Sequence, residues 1–165
     1  MGAWILAIDP GNEASGYVLI CTNYRPILQG KLPNEELLST SRRWGYDALV
    51  VEMVGHYGKG MPAGKTVFDT CVWIGRFIQE AAQRKIPTYT VMRGEEKINL
   101  CGSAQAKDAN IRQALIDRFA RTANGKGTKK EPDFFYGFAA DAWQAYACGV
   151  TWMDKMKEAQ NADNL

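Results

Sequence analysis

Trp4-Ile5-Leu6-Ala7-Ile8-Asp9-Pro10-Gly11 is the stretch whose reading decides the fold. Five apolar residues run into a carboxylate, and Pro-Gly then breaks the chain. That is the pattern of a strand buried on both faces and ending at or near Asp9. An ionised carboxylate left unpaired at the rim of a core is costly, and a cation is its natural partner. Asp-Pro-Gly is also good turn chemistry in its own right, because Asp hydrogen-bonds its own backbone. The rest of the chain decides between a turn and a site.

Ser15 to Cys21 is again strand-like, and Gly16 within it lets another segment approach the backbone closely. A strand, an acid at its tip and a hairpin return make a plausible metal corner. Ile27 to Leu32 supplies a third strand, and Pro33-Asn34 opens a polar helix through about Trp44, ended by Gly45, with Glu35 and Glu36 in its first turn. Ala48 to Met53 reads as a further buried strand interrupted by Glu52, which repeats the situation of Asp9. If the two strands are parallel neighbours, both acids stand at one edge of the sheet.

Val54 to Lys65 carries Gly55, Gly58, Gly60 and Gly64 with His56, Tyr57, Lys59 and Lys65 between them. Such loops are commonly plain linkers, yet one that directly follows Glu52 is well placed to touch a substrate. His56 is the sole histidine, which excludes a histidine-rich metal site. Thr66 to Lys85 is an amphipathic helix with Val67, Cys71, Ile74, Ile78 and Ala81 on its inner face. Asp69 falls on the outer face, readable as a first-turn helix acid, and Trp73 is expected there as an exposed aromatic. Thr88 to Met92 alternates as a strand, and Ser103 to Arg121 is expected to be helical, with Lys107 near its start. A last helix is expected from about Gly137 to Lys157. Its small residues, Ala139, Ala140, Ala142, Ala145 and Ala147, keep one side thin enough for tight packing on a sheet. Asp141 lies in its first turn among them, either as a surface helix acid or as a carboxylate in need of a partner.

The 165 residues, 46% hydrophobic and 23% charged, fit a single domain, 1–165, with a substantial core. The net charge of +2 neither demands nor excludes nucleic acid, but it is polarised. Arg112 to Lys130 holds six basic residues against one acid, so the remainder is net negative. That run is readable as a solvated helix end and loop or as a phosphate-facing patch. Cys21, Cys71, Cys101 and Cys148 show no metal-ligand spacing, and no signal pattern or membrane-length apolar run is present. A cytoplasmic protein with reduced thiols and no membrane partner is the expectation.

Asp9, Glu52 and Asp141 are far apart in sequence, so only a fold can unite them. United, they make an all-oxygen site of the kind hard divalent cations prefer, Mg²⁺ or Mn²⁺. Two such ions roughly 4 Å apart suit in-line hydrolysis of a phosphodiester.

The ordered set Ile-Leu-Ala-Ile-Asp9-Pro-Gly, Gly16, Val-Val-Glu52, a helix containing Gly75, Gly102-Ser103-Ala104 with Lys107, and a late Ala-Asp141-Ala resembles the RuvC family of Holliday junction resolvases. Gly127-Thr-Lys-Lys and Tyr136-Gly137 look more like its phage-encoded branch, which would work in the bacterial host's cytoplasm. The resemblance implies a ribonuclease H-like α/β fold, a five-stranded mixed sheet with helices on both faces. It implies that Asp9, Glu52 and Asp141 are catalytic metal ligands, with Lys107 near the cleaved phosphate. It further implies that the loop after Glu52 enters the junction centre, Tyr57 stacking on an unpaired base, and that the chain acts as a homodimer on branched DNA, a two-fold protein on a two-fold substrate.

The family usually places a fourth acid or His one turn before the last acid, where this chain has Phe138. Asp69 and Asp133 are the nearest substitutes, and Asp69 is favoured because it lies on the helix after the Glu52 loop; water in the shell is the other option. Lys59, Lys65, Arg118, Lys126, Lys129 and Lys130 are expected to contact backbone phosphates without reading bases. The expected activity is metal-dependent endonucleolytic cleavage of Holliday junctions and other branched DNA. The rival readings are a branched-DNA-binding protein with weakened catalysis and an RNA-processing nuclease of the same fold. An actin-like ATPase or sugar kinase needs two such domains, and this length hardly suffices.

Overall fold

The computed structural model describes residues 2–55 and 64–164. Its five strands, β1 (Trp4–Asp9), β2 (Ala14–Cys21), β3 (Pro26–Pro33), β4 (Ala48–Met53) and β5 (Thr88–Met92), form one mixed sheet in the order β3-β2-β1-β4-β5. β1 to β3 form an antiparallel meander, whereas β1, β4 and β5 run parallel. The helices are α1 (Asn34–Ser41), α2 (Lys65–Gln83), α3 (Arg93–Cys101), α4 (Asp108–Phe119) and α5 (Ala140–Asp163). Among the described residues, no helix is long and apolar enough to cross a membrane.

Strand alternation divides the core in two. Ile5 and Ala7 of β1, Val18 and Ile20 of β2, and Ala48 and Val50 of β4 face α5 and α4. Leu6, Ile8, Leu19, Leu49 and Val51 face α1 and α2. The thin side predicted for the last helix is real: Ala142, Ala145 and Ala147 are buried, and a Cβ added at Gly149 would meet the Ile20 side chain at 2.4 Å. Phe135, Phe138, Trp143 and Tyr146 fill the space beside α5 with packed rings.

Element boundaries depart from expectation where capping overrides hydropathy. Gly102, at φ +69°, closes α3, a helix absent from the sequence reading, and the chain turns through 103–107 before α4 starts. The helix expected from Ser103 to Arg121 is therefore α4 alone, Asp108–Phe119. α5 starts three residues later than expected and runs six further, and α1 stops at Ser41. α2 turns inward on Thr70, Ile74, Phe77 and Ala81, rotated from the expected stripe. Cys71, Phe68 and Val72 are thereby left outside, while Trp73 is half-buried against Phe77 with the Arg76 guanidinium 4.0 Å from its ring centre.

Candidate active site

Asp9 and Glu52 reach the same place by the same rule. Asp9 follows Ile5 and Ala7 along β1, and Glu52 follows Ala48 and Val50 along β4, so alternation turns both toward the α5 face. The two strands are parallel, with Ile8 opposite Val51, so the acids leave the sheet side by side at its carboxyl edge. Asp141 arrives from the first turn of α5. Gly16, paired with Asp9 across the β1–β2 ladder, makes that approach possible: a Cβ there would lie 2.5 Å from the Asp141 carbonyl oxygen and 2.9 Å from its Cβ. The turn after Asp9 is pinned by a buried polar clamp. The Gly11 N–H donates to Ser15 Oγ (3.1 Å), Ser15 Oγ donates to Asn34 Oδ1 (2.6 Å), and Asn34 Nδ2 donates back to the Gly11 carbonyl (2.8 Å).

Asp9 feels both other acids. Burial, then Glu52 and Asp141, push the Asp9 carboxyl up to about 7, against the opposing pull of Arg93 and Lys31. Burial also raises Glu52, opposed by the Arg93 guanidinium. Lys31 Nζ stands 3.2 Å from Asp141 Oδ2, and Arg93 Nη1 stands 3.9 Å from Glu52 Oε2. Each outer acid thus leans toward its own cation. Among the described residues, no three Asp, Glu, His or Cys side chains converge at metal-ligand spacing.

The donor chemistry nonetheless fits a hard divalent cation. Every charged donor is a carboxylate oxygen, and Glu52 Oε2 is buried without a hydrogen-bond partner. Asp9 and Glu52 line an open cleft of about 420 Å³, with Thr66 and Thr70 of α2 forming one wall and Arg93 and Lys97 of α3 another.

Arg93 and Glu96 were not singled out from sequence. β5 runs directly into α3, which sets Arg93 at the carboxyl edge beside Glu52. Its guanidinium reaches Glu96 Oε2 at 2.7 Å and also pairs with Asp108 of α4 and Gln144 of α5. Glu96 is fully buried, its Oε1 has no partner, and burial with Glu52 nearby pushes its carboxyl up to about 9. A sequence reading assigns such a residue to the surface, since a glutamate is rarely fully buried.

The remaining predicted residues are placed as follows. Lys107 is exposed and precedes α4, its backbone N–H bound by Asn110 Oδ1 at 2.9 Å; its neighbour Asp108 pairs with Arg93, while Lys107 itself does not line the cleft. Asp69 pairs with Lys65 on α2 and is not in the cleft wall. Asp133 is structural: it accepts from the N–H groups of Arg121, Thr122 and Phe134 and from the Thr122 hydroxyl, which hold its carboxyl well below the usual range. Phe138 is buried in the aromatic cluster.

Arg118 donates twice to Asp154, at 2.7 and 2.8 Å. Asp154 lies 13 residues along α5 from Asp141, roughly 20 Å at the helical rise. Arg118 is therefore committed to an internal pair far from the acids. Lys126, Lys129 and Lys130 stand on the loop between α4 and α5, Lys129 and Lys130 exposed and Lys126 partly so. Tyr57, Lys59 and His56 lie outside the described residues.

No protein-family model matches the chain, and no curated protein matches its sequence. Solved structures do match its fold. Thermus thermophilus RuvC in complex with a Holliday junction substrate superposes with a TM-score of 0.67 over 90% of this chain and 92% of that one, at 14% identity. A second structure of Thermus thermophilus RuvC gives a TM-score of 0.64 over the same shares, at 16% identity. The chain has the RuvC-like, ribonuclease H-like fold, with the five-stranded mixed sheet and two helical layers expected of it.

Proposed function

We propose that this chain is a divalent-metal-dependent endonuclease that resolves Holliday junctions and other branched DNA, a RuvC-like resolvase of the phage-encoded kind. What supports the reading is that Asp9 and Glu52 leave parallel strands side by side, and that Gly16 lets the start of α5, with Asp141, approach the strand beside Asp9, in a fold shared with a protein seen on a Holliday junction. Asp9, Glu52 and Asp141 are the residues that would hold Mg²⁺ or Mn²⁺. Two bound ions would supply a water-derived nucleophile and neutralise the leaving oxygen.

The chain's own side chains supply the rest. Asp9 and Glu52, on adjacent strands, would hold the cation, and Asp141 of α5 would join them on giving up its pair with Lys31. Lys107, next to the Asp108 that pairs with Arg93, would face the phosphoryl oxygens as charge develops there. Tyr57, five residues after Glu52, stacks on an unpaired base at the open centre of the junction, and Lys59 binds backbone phosphate. Lys65, Lys126, Lys129 and Lys130 bind backbone phosphate, giving affinity that falls steeply with salt. Arg118 is left out of that set because Asp154 holds it.

A homodimer suits the α2 face. Phe68 and Val72, one helical turn apart, are each 62% exposed, and nothing lies within 4 Å of a Cβ built on Gly75. A second copy packed there sets two sites against a two-fold junction.

The test is cleavage of a synthetic four-way junction and of a linear duplex of the same sequence, with Mg²⁺ and without. The reading predicts symmetric nicks in the junction only, dependent on metal. Equal cutting of both substrates overturns junction selectivity. Tight junction binding with no cleavage under either Mg²⁺ or Mn²⁺ supports the binding-protein reading, which the buried Phe138 favours.

A further inference from the structure

The segment from Arg121 to Asp141 follows β3 from one end to the other. At the end far from the acids, Arg121, Asp133 and Phe134 share a hollow of about 540 Å³ with Asn23, Arg25 and Pro26 of the β2–β3 turn. Midway, a Cβ built on Gly137 would lie 3.1 Å from the Gln29 amide nitrogen. At the near end Asp141 meets Gly16, which pairs with Lys31. The hollow and the last acid are thus the two ends of one flank. From Pro26 to Lys31 the strand advances roughly 17 Å. From Asp154, which the Tyr24 hydroxyl reaches at 2.7 Å, back to Asp141 the helix advances roughly 20 Å. The two routes agree.

The hollow carries two guanidinium groups and one acid, and that acid is already satisfied. Asp133 is buried, and three backbone N–H groups and the Thr122 hydroxyl donate to it. Arg121 Nε stands 3.6 Å from it, with the Arg121 side chain 82% exposed. Arg25 is exposed, and among the described residues no carboxylate pairs with it. Lys157, also exposed, lies 4.0 Å from the centre of the neighbouring Tyr24 ring. Two outward guanidinium forks suit a phosphate, which each can bind through paired N–H groups. Along the rest of the segment Lys126, Lys129 and Lys130 stand against one exposed acid, Glu131. Cations repeated over roughly 17–20 Å suit a polyanion better than a single small anion.

We propose that a duplex arm of branched DNA lies along this flank, with a backbone phosphate in the Arg25–Arg121 hollow about five to six base pairs from the phosphate at the acids, counting about 3.4 Å per base pair. The inference rests on the branched-DNA reading above. It adds a grip on the arm that reads no bases, because both arginines address the backbone.

Phosphate-ethylation interference on a synthetic four-way junction, bound in chelator so that nothing is cut, tests this. In wild type, ethylation about five to six nucleotides out along an arm should weaken binding, as should ethylation at the junction centre. Arg25→Gln with Arg121→Gln should lose the interference on the arm and keep it at the centre. Its junction affinity should fall about tenfold, with the slope of log affinity against log salt smaller by about one to two. Both side chains are exposed, so its thermal melt should match wild type. If the double variant does not fold, Arg25→Gln alone reads the same way, with about half the change in slope. Wild-type interference confined to the junction centre overturns the proposal, as does an unchanged arm signal in the variants. Failure of the wild-type chain to bind the junction at all brings down the branched-DNA reading itself, a different result from junction binding that needs neither arginine.

Discussion

Gly16 and Asp141 touch through backbone: the helix that carries the last acid rests on the strand beside the first, with no room for a methyl group between them. This contact, more than the acids themselves, fixes where the third carboxylate stands.

Gly16→Ala is therefore expected to lift the start of α5. Overpacking of this kind costs about 1–3 kcal/mol, and a displacement near 1 Å at a reacting centre costs about 100-fold in rate. Urea unfolding and single-turnover junction cleavage check both. A stable variant with wild-type cleavage contradicts the expectation.

The Asp9 carboxyl, raised to about 7 from its ordinary 3.8, makes stability depend on pH. The folded chain keeps a proton there that the unfolded chain gives up near pH 4, so the contribution is present below about 4 and is lost as pH rises through 7. Without divalent cation, this lowers wild-type stability by on the order of 2–4 kcal/mol across that window. Asp9→Asn lacks this loss and should be the more stable protein at pH 8 and equal to wild type at pH 4. Urea melts in chelator at several pH values check it; parallel curves for the two proteins contradict it.

Arg93 supports acids on three elements, so removing it should be costly even without substrate. Arg93→Met leaves Glu96 buried with neither oxygen paired and is expected to lose about 3 kcal/mol. Adding Glu96→Gln should restore part of that loss, since the orphaned charge goes with it. A double-mutant cycle from denaturant melts measures the coupling. Strict additivity contradicts the pairing.

The outer face of α2 predicts an oligomer. Phe68→Asp, or Val72→Asp, should convert a dimer to a monomer in sedimentation experiments while leaving the thermal melt of the fold nearly unchanged, because both side chains are mostly exposed. A wild-type monomer, or a dimer in both variants, contradicts the assignment.

The sheet, and the place of Asp9 and Glu52 at its edge, were legible because strand alternation and chain breaks are local signals: Ile8-Asp9-Pro10 and Val51-Glu52 each announce an apolar strand ending in a charge. That the five strands form one mixed sheet needed the family resemblance. Arg93 and Glu96 were not legible, since Arg93-Gly-Glu-Glu-Lys97 reads as a solvated charge run, and only the direct passage of β5 into α3 carries Glu96 inward. The pairing of Arg118 was hidden for the converse reason: its basic neighbourhood is visible in sequence, but its partner Asp154 is 36 residues away. That Phe68 and Val72 face outward was not legible, because a helix with apolar residues most of the way round does not reveal which side faces the sheet.

The central claim is that Asp9, Glu52 and Asp141 serve one cation site. Anomalous diffraction from crystals grown with Mn²⁺ tests it most directly. The account predicts a peak in the cleft within coordination distance of all three carboxylates, with Lys31 displaced from Asp141. A cleft without Mn²⁺ at saturating concentration, with the Lys31–Asp141 and Arg93–Glu52 pairs intact, contradicts it.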